Sequence, residues 1–167
     1  MARAGNNPIN ADFLDLLQAL RDSGARFLVV GAQAMAAHGV ARATGDMDVW
    51  VEPTRSNARA VWRALLEFGA PVEAFDLSVD DFAVGGNVVQ IGLPPRRIDL
   101  LTSIDGVDFA DAWASRLVTR VADCPVPFLG REELLRNKRA AGRPKDLLDI
   151  ELLDGTGKDP SDSSSDT

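Results

Sequence analysis

The sequence predicts an α/β (α+β) domain, a small mixed β-sheet with helices packed on it. Three observations carry that reading. Short β-branched apolar runs alternate with longer stretches whose apolar residues recur at helical spacing. Two of the runs, Val88–Leu93 and Arg97–Thr102, are separated only by a proline-containing connection, as in a hairpin. With 167 residues, 46% of them hydrophobic, the chain suffices for one domain with its own core.

In chain order, Asn10 is placed to cap a helix starting at Ala11, with Phe13, Leu16, Leu17 and Leu20 on its apolar face and Ser23-Gly24 at its end. Arg26 to Val30 reads as a strand. Gly31 breaks it, and Ala32 to His38, rich in small helix formers, reads as a helix closed by Gly39. Asp46 to Glu52 is the next strand, stopped by Pro53. Thr54 caps a long helix carrying Val61, Trp62, Leu65 and Leu66 and ending at Phe68-Gly69. Asp80-Asp81-Phe82 suggests a short helical turn, and Gly85-Gly86-Asn87 a chain reversal. After the two hairpin strands, Phe109 to Ala114 reads as a helical turn. Arg116–Val121 and Val126–Leu129 read as strands around Asp123-Cys124-Pro125. Arg131 to Ala140 forms a helix with Leu134 and Leu135 inside, ended by Gly142. Pro144 suits the first turn of a last helix reaching Leu153.

The expected organisation is a flexible N-terminus over 1–9, one domain over 10–153, and a disordered acidic Ser/Asp tail over 154–167, whose composition cannot bury enough apolar surface to fold. That tail holds four aspartates and one lysine, a net of −3 out of the chain's −7, which leaves −4 for the rest. Such a balance argues against binding nucleic acid through a general basic surface, while permitting a local basic groove. The only cysteine, Cys124, excludes an internal disulfide and any multi-cysteine zinc site. No apolar run approaches the roughly 18 residues of a membrane span, and the first ten residues lack the apolar stretch of a signal peptide. The expected compartment is therefore the cytoplasm, with no membrane partner.

The stretch with chemical content is Asp46-Met47-Asp48 at the head of a β-branched run. Side chains alternate along a strand, so both aspartates share a face. Like charges at that spacing repel and raise the pKa of at least one. A divalent cation between them removes the conflict, and Mg2+ favours one or two carboxylates together with substrate phosphates. A strand end dipping into solvent would also satisfy both. Upstream, Val29-Val30-Gly31 ends a strand and starts a helix, where free backbone N–H groups favour a phosphate. Downstream, Asp99 sits between Ile98 and Leu100, so it faces either solvent, paired to Arg97 or Arg116, or a site.

Taken together, these parts resemble the DNA polymerase β-like nucleotidyltransferase superfamily: Phe27-Leu28-Val29-Val30-Gly31, then Asp46-Met47-Asp48, then Arg97-Ile98-Asp99-Leu100-Leu101. Within it, Gly31-x-x-Ala34-x-x-x-His38-Gly39, and Lys138 followed by Arg143-Pro144-Lys145-Asp146-Leu147-Leu148-Asp149, resemble the small bacterial branch of minimal nucleotidyltransferases and AbiEii-type toxins. The resemblance covers roughly Phe27 to Leu153 and depends on all four motifs occurring in order. It implies a polymerase β palm-like nucleotidyltransferase core. It also implies Mg2+-dependent transfer of a nucleoside monophosphate from an NTP, ATP included, to an RNA 3′ end or a protein acceptor, with a cognate antitoxin as a further partner. Asp46 and Asp48 would hold two Mg2+ ions, with Asp99 ligating one and acting as base toward the acceptor. Gly31, Ala32, Gln33, Thr44, Lys138, Arg143 and Lys145 would bind nucleotide or phosphate. Ala32 departs from the superfamily's usual Gly or Ser and offers no hydroxyl, which keeps a second reading open: a weak or inactive nucleotide-binding or interaction module on the same fold.

Other residues have plainer readings. Arg136, Lys138, Arg139, Arg143 and Lys145 put five bases in ten residues, the one dense positive run in an acidic chain. Lys145 and Asp149 could equally form an i,i+4 helix pair. His38 is expected to bond the last carbonyls of its helix. Arg42 borders the aspartate strand, and Trp50, Trp62 and Trp113 read as core or interface. Cys124 is assigned no role.

Overall fold

The computed structural model describes residues 10–41 and 45–156. The expected helix α1 spans Ala11–Asp22, its first turn capped by the Asn10 side chain, which accepts from the Phe13 N–H. The strand β1 (Phe27–Val30) is buried on both faces and runs directly into α2 (Gly31–Ala37). The strand β2 (Met47–Val51) follows, then α3 (Arg55–Phe68), whose first turn is capped by Thr54 and whose end is turned by Gly69 at φ +83°. A 3-10 turn at Val79–Phe82 leads to β3 (Val88–Ile91) and β4 (Ile98–Leu101). The chain continues through α4 (Phe109–Ala114), β5 (Leu117–Val121), β6 (Cys124–Phe128), α5 (Arg131–Ala141) and α6 (Pro144–Thr156).

The six strands make one mixed sheet in the order β3-β4-β2-β1-β6-β5. β1 runs antiparallel to β2 and parallel to β6, β2 and β4 are parallel, and the β3–β4 and β5–β6 pairs are antiparallel hairpins. α1 packs on α3, and the two cover a core built from Phe13, Leu16, Leu20, Val61 and Leu65 with the strand residues Leu28, Val49 and Val51. Burying side chains of this size stabilises the fold by about 1.5–3 kcal/mol each. Asn57 ties α3 to the sheet from inside: its Oδ1 accepts from the Arg26 N–H at 2.7 Å, and its Nδ2 donates to the carbonyls of Arg26 and Glu52.

Two local differences from the sequence reading have physical causes. The β5–β6 reversal falls at Ala122-Asp123, both at positive φ (48° and 65°), the backbone of a tight two-residue turn. Cys124 and Pro125 therefore belong to β6 rather than to the connection. Prolines 125 and 127 are tolerated there because β6 registers with β1 at Val29↔Phe128, past both residues. The second concerns His38, whose Nε2 reaches the Leu129 carbonyl at 2.8 Å instead of the end of its own helix, tying α2 to the end of β6. Of the three tryptophans, Trp50 is fully buried and meets the Phe109 ring edge-on at 4.9 Å. Trp62 and Trp113 are partly buried against the core. Among the described residues no helix is long and apolar enough to cross a membrane.

Candidate active site

Topology determines where the acidic side chains meet. Because β1 is antiparallel to β2, its C-terminal residue Val30 lies opposite Asp48. Because β2 and β4 are parallel, Asp48 lies directly opposite Asp99. The end of β1, the start of β2 and the start of β4 thus converge at one end of the sheet's central strands, and partners in register present their side chains to the same face. Asp46 stands one residue before β2 and joins them. All three carboxylates line a single cavity of about 670 Å³ that is also bordered by Gly31, Ala32, Met35, Arg97, Lys138, Arg143 and Lys145.

Gly31 is required here by two separate constraints. Its φ of +66° lies in the left-handed region that L side chains avoid, and a Cβ at this position would collide with the Asp48 carboxylate. Gly45 serves a similar end. A side chain there would run into the Pro95 backbone, so the segment entering β2 lies flush against the β3–β4 connection. This close fit lets the Asp46 carboxylate accept from the Arg97 backbone N–H at 3.3 Å.

The electrostatics are dominated by crowding of like charge. Asp48 is pushed up from 3.8 to about 6, first by burial, then by the charges of Asp99 and Asp46, and by a hydrogen bond with the Asp99 carboxyl; only Arg97 pulls the other way. Asp99 is buried, and the Arg97 guanidinium forks onto it, with Nε to Oδ1 at 2.9 Å and Nη2 to Oδ2 at 3.3 Å. The same guanidinium reaches Asp46 Oδ2 at 3.5 Å. Asp99 thus pairs with Arg97, as one reading had it, but it is buried and borders the cavity rather than facing solvent. Among the described residues, no three acidic, histidine or cysteine side chains close tightly enough to hold a cation between them as they stand. The donor set nonetheless suits a hard dication. The cavity lining offers carboxylates and neither imidazole nor thiolate, and the crowding that raises Asp48 is what a dication relieves.

The expected phosphate ligands are not all placed alike. Gly31 and Ala32 border the cavity, and no side chain caps the start of α2. Gln33 does not border it. Two positions on from Gly31 the helix has turned by roughly 200°, so Gln33 is buried on the far side of α2, whereas Met35, four positions on, returns to the cavity. Thr44, like Arg42, lies outside the described residues. Lys145 is exposed on the rim.

Lys138 and Arg143 reach the cavity already engaged. The Lys138 ammonium is buried between Asp149 at 3.0 Å and Asp146 at 3.4 Å. Arg143 Nε donates to Asp146 Oδ2 at 2.6 Å, its backbone N–H donates to the same oxygen, and its Nη2 donates to Asp146 Oδ1. The hydrogen bond to Asp146 holds the Arg143 guanidinium above its ordinary range, more than offsetting the opposing effect of burial. Burial pushes Asp146 up, but the Arg143 hydrogen bonds and the Lys138 charge outweigh it and leave the carboxyl below the usual carboxylate value. Asp149, which the sequence leaves open between an i,i+4 pair with Lys145 and a role at the site, is engaged with Lys138. The four groups clamp α5 against α6 after the αL turn at Gly142 and sum to zero charge, so the basic run is less positive than its composition suggests.

Arg97 is the site residue that the sequence reading placed only as a partner of Asp99. The signal for it was present: two residues before Asp99, it points to the same face of the strand. Asp105 and Asn137 also border the cavity, with Asn137 donating to the Asp105 carbonyl at 3.0 Å. They come from separate elements, and no spacing announces them.

No family model matches the chain, and no curated protein matches it. Solved structures do. A nucleotidyltransferase candidate from Thermotoga maritima, known from a crystal structure, is 14% identical with a TM-score of 0.53, covering 92% of this chain and 97% of that one. The antibiotic-resistance factor ANT(2'')-Ia, known in solution, is 16% identical with a TM-score of 0.52, covering 87% of this chain and 82% of its own. At these identities the likeness concerns the fold: the mixed six-stranded sheet with the six α-helices among the described residues is the α/β fold that these two structures share.

Proposed function

We propose that the chain is a Mg2+-dependent nucleotidyltransferase that moves a nucleoside monophosphate from an NTP to an RNA 3′ end or a protein acceptor. The observation that carries this reading is the register Asp48↔Asp99 beside Asp46, on the wall of one cavity that also holds the start of α2. Asp46, Asp48 and Asp99 would hold the ions, which when bound supply Lewis-acid stabilisation of the transferring phosphoryl group and of the pyrophosphate leaving group. Gly31 and Ala32 bring backbone against the phosphates without steric bulk. Lys145 offers an exposed ammonium at the rim, while Arg143 and Lys138 shape the wall between the phosphates and α6. Asp99, in register with Asp48 on the cavity floor, would act as the base toward the attacking hydroxyl, as the resemblance implies. The resemblance to AbiEii-type toxins extends the proposal to a cytoplasmic toxin with a cognate antitoxin.

Incubation with labelled NTPs, Mg2+ and total tRNA or candidate protein acceptors tests the reading. Transfer of label to one of them, abolished in Asp48→Ala, is the expected result; transfer that survives the substitution overturns the assigned site. Ala32, without a hydroxyl for the phosphates, favours the second reading of a nucleotide-binding module. That reading predicts Mg2+-dependent NTP binding in calorimetry with no product.

A further inference from the structure

We infer that Arg97 is a tethered counter-cation of the acidic cavity floor, occupying the oxygens that divalent ions need and setting the ion concentration at which the site loads. The inference rests on the metal-dependent reading above and adds to it a residue that works against the metal.

The geometry is specific. Arg97 takes both oxygens of Asp99 in a fork and one of Asp46, bridging the two acids that flank Asp48. Its position on the chain makes this arrangement hard to avoid. Residues two apart on a strand share a face, and the parallel β2–β4 register brings Asp46 and Asp48 to that same face. A planar guanidinium matches a carboxylate bidentately, so the fork is a strong and oriented contact. Yet it supplies one positive charge against three carboxylates. Among the described residues the floor therefore attracts a dication, which competes with the guanidinium for the Asp99 oxygens. The guanidinium itself is only partly buried, with 30% of its side chain exposed, so it has an open path out of the contact.

The test is Mn2+ binding to the full chain, followed by electron paramagnetic resonance and by calorimetry, in the wild type, Arg97→Gln and Arg97→Lys. Melting temperature against Mg2+ gives an independent readout. Losing a competing ion pair of this kind corresponds to roughly five- to tenfold in affinity. Arg97→Gln should therefore bind Mn2+ more tightly by that factor and reach its Mg2+-stabilised plateau at a lower concentration. Arg97→Lys, which keeps the charge but loses the fork, should fall between. If Arg97→Gln fails to fold, Arg97→Lys alone still decides by its position relative to the wild type. Wild-type binding with equal or weaker binding in the variants overturns the counter-cation role and leaves the nucleotidyltransferase reading standing. Absence of Mn2+ binding in every protein overturns both.

Discussion

Replacing Asp48 by asparagine removes one of three crowded carboxylates while keeping the side chain's shape, and the structure gives the size and pH dependence of the effect. In the folded chain Asp48 titrates near 6 rather than at 3.8. At about 1.4 kcal/mol per tenfold change in proton affinity, ionising it in place costs folding about 3 kcal/mol. Below the unfolded value both states hold the proton and nothing is lost. Between 3.8 and about 6 the folded state binds more protons than the unfolded one, so wild-type stability falls as pH rises through that window and then levels off. Solvent at the cavity mouth reduces the recoverable part to about 1–2 kcal/mol. For a domain of this size that is roughly 3–6 °C in Tm. In thermal unfolding with chelator present, Asp48→Asn should melt higher than wild type near pH 8 and coincide with it near pH 4. Adding Mg2+ should reverse the order near pH 8, because an ion that binds only the folded wild type stabilises it by mass action. A variant no more stable than wild type near pH 8, or one whose advantage is the same at both pH values, would refute the electrostatic account of the floor.

Gly31→Ala forces a Cβ into the Asp48 carboxylate from a left-handed backbone. Thermal melts should show a loss of at least about 1–2 kcal/mol from the backbone alone, and Mn2+ binding should weaken with it. Lys138→Met preserves packing but leaves Asp149 buried without its ammonium partner, which should cost about 3 kcal/mol in urea unfolding. Lys145→Ala, on the exposed rim, should change stability by less than about 0.5 kcal/mol. In calorimetry the same variant should weaken NTP binding by about three- to tenfold.

Much of this molecule was legible without coordinates. Apolar periodicity and capping residues marked the long helices: Asn10 and Thr54 are the caps they were expected to be, and Gly69 and Gly142 end their helices in the left-handed conformation. The period-two rule put Asp46 and Asp48 on one face, and the same rule applied to Arg97-Ile98-Asp99 would have exposed the guanidinium beside them. The errors arose where a local pattern met a distant partner. His38 answers to a carbonyl 91 residues away. Two of the five bases in the run at 136–145, Lys138 and Arg143, are paired with aspartates of the following helix. Gln33, grouped with the phosphate ligands through the resemblance, is buried away from the cavity because the turn of the helix decides which way it faces.

The division follows from the range of the forces. Helix and strand formation, caps and turns depend on neighbours a few residues apart, so the sequence by itself determined the elements, their order and which aspartate faces matched. It could not determine that β2 pairs with β4 in parallel and in the register Asp48↔Asp99. That choice belongs to the whole sheet, and a slip of one residue would have turned Asp99 to the opposite side. Only the tertiary structure brought the three acids to one cavity, placed Arg97 among them and lifted the Asp48 pKa, because burial and charge proximity exist only after the strands have paired.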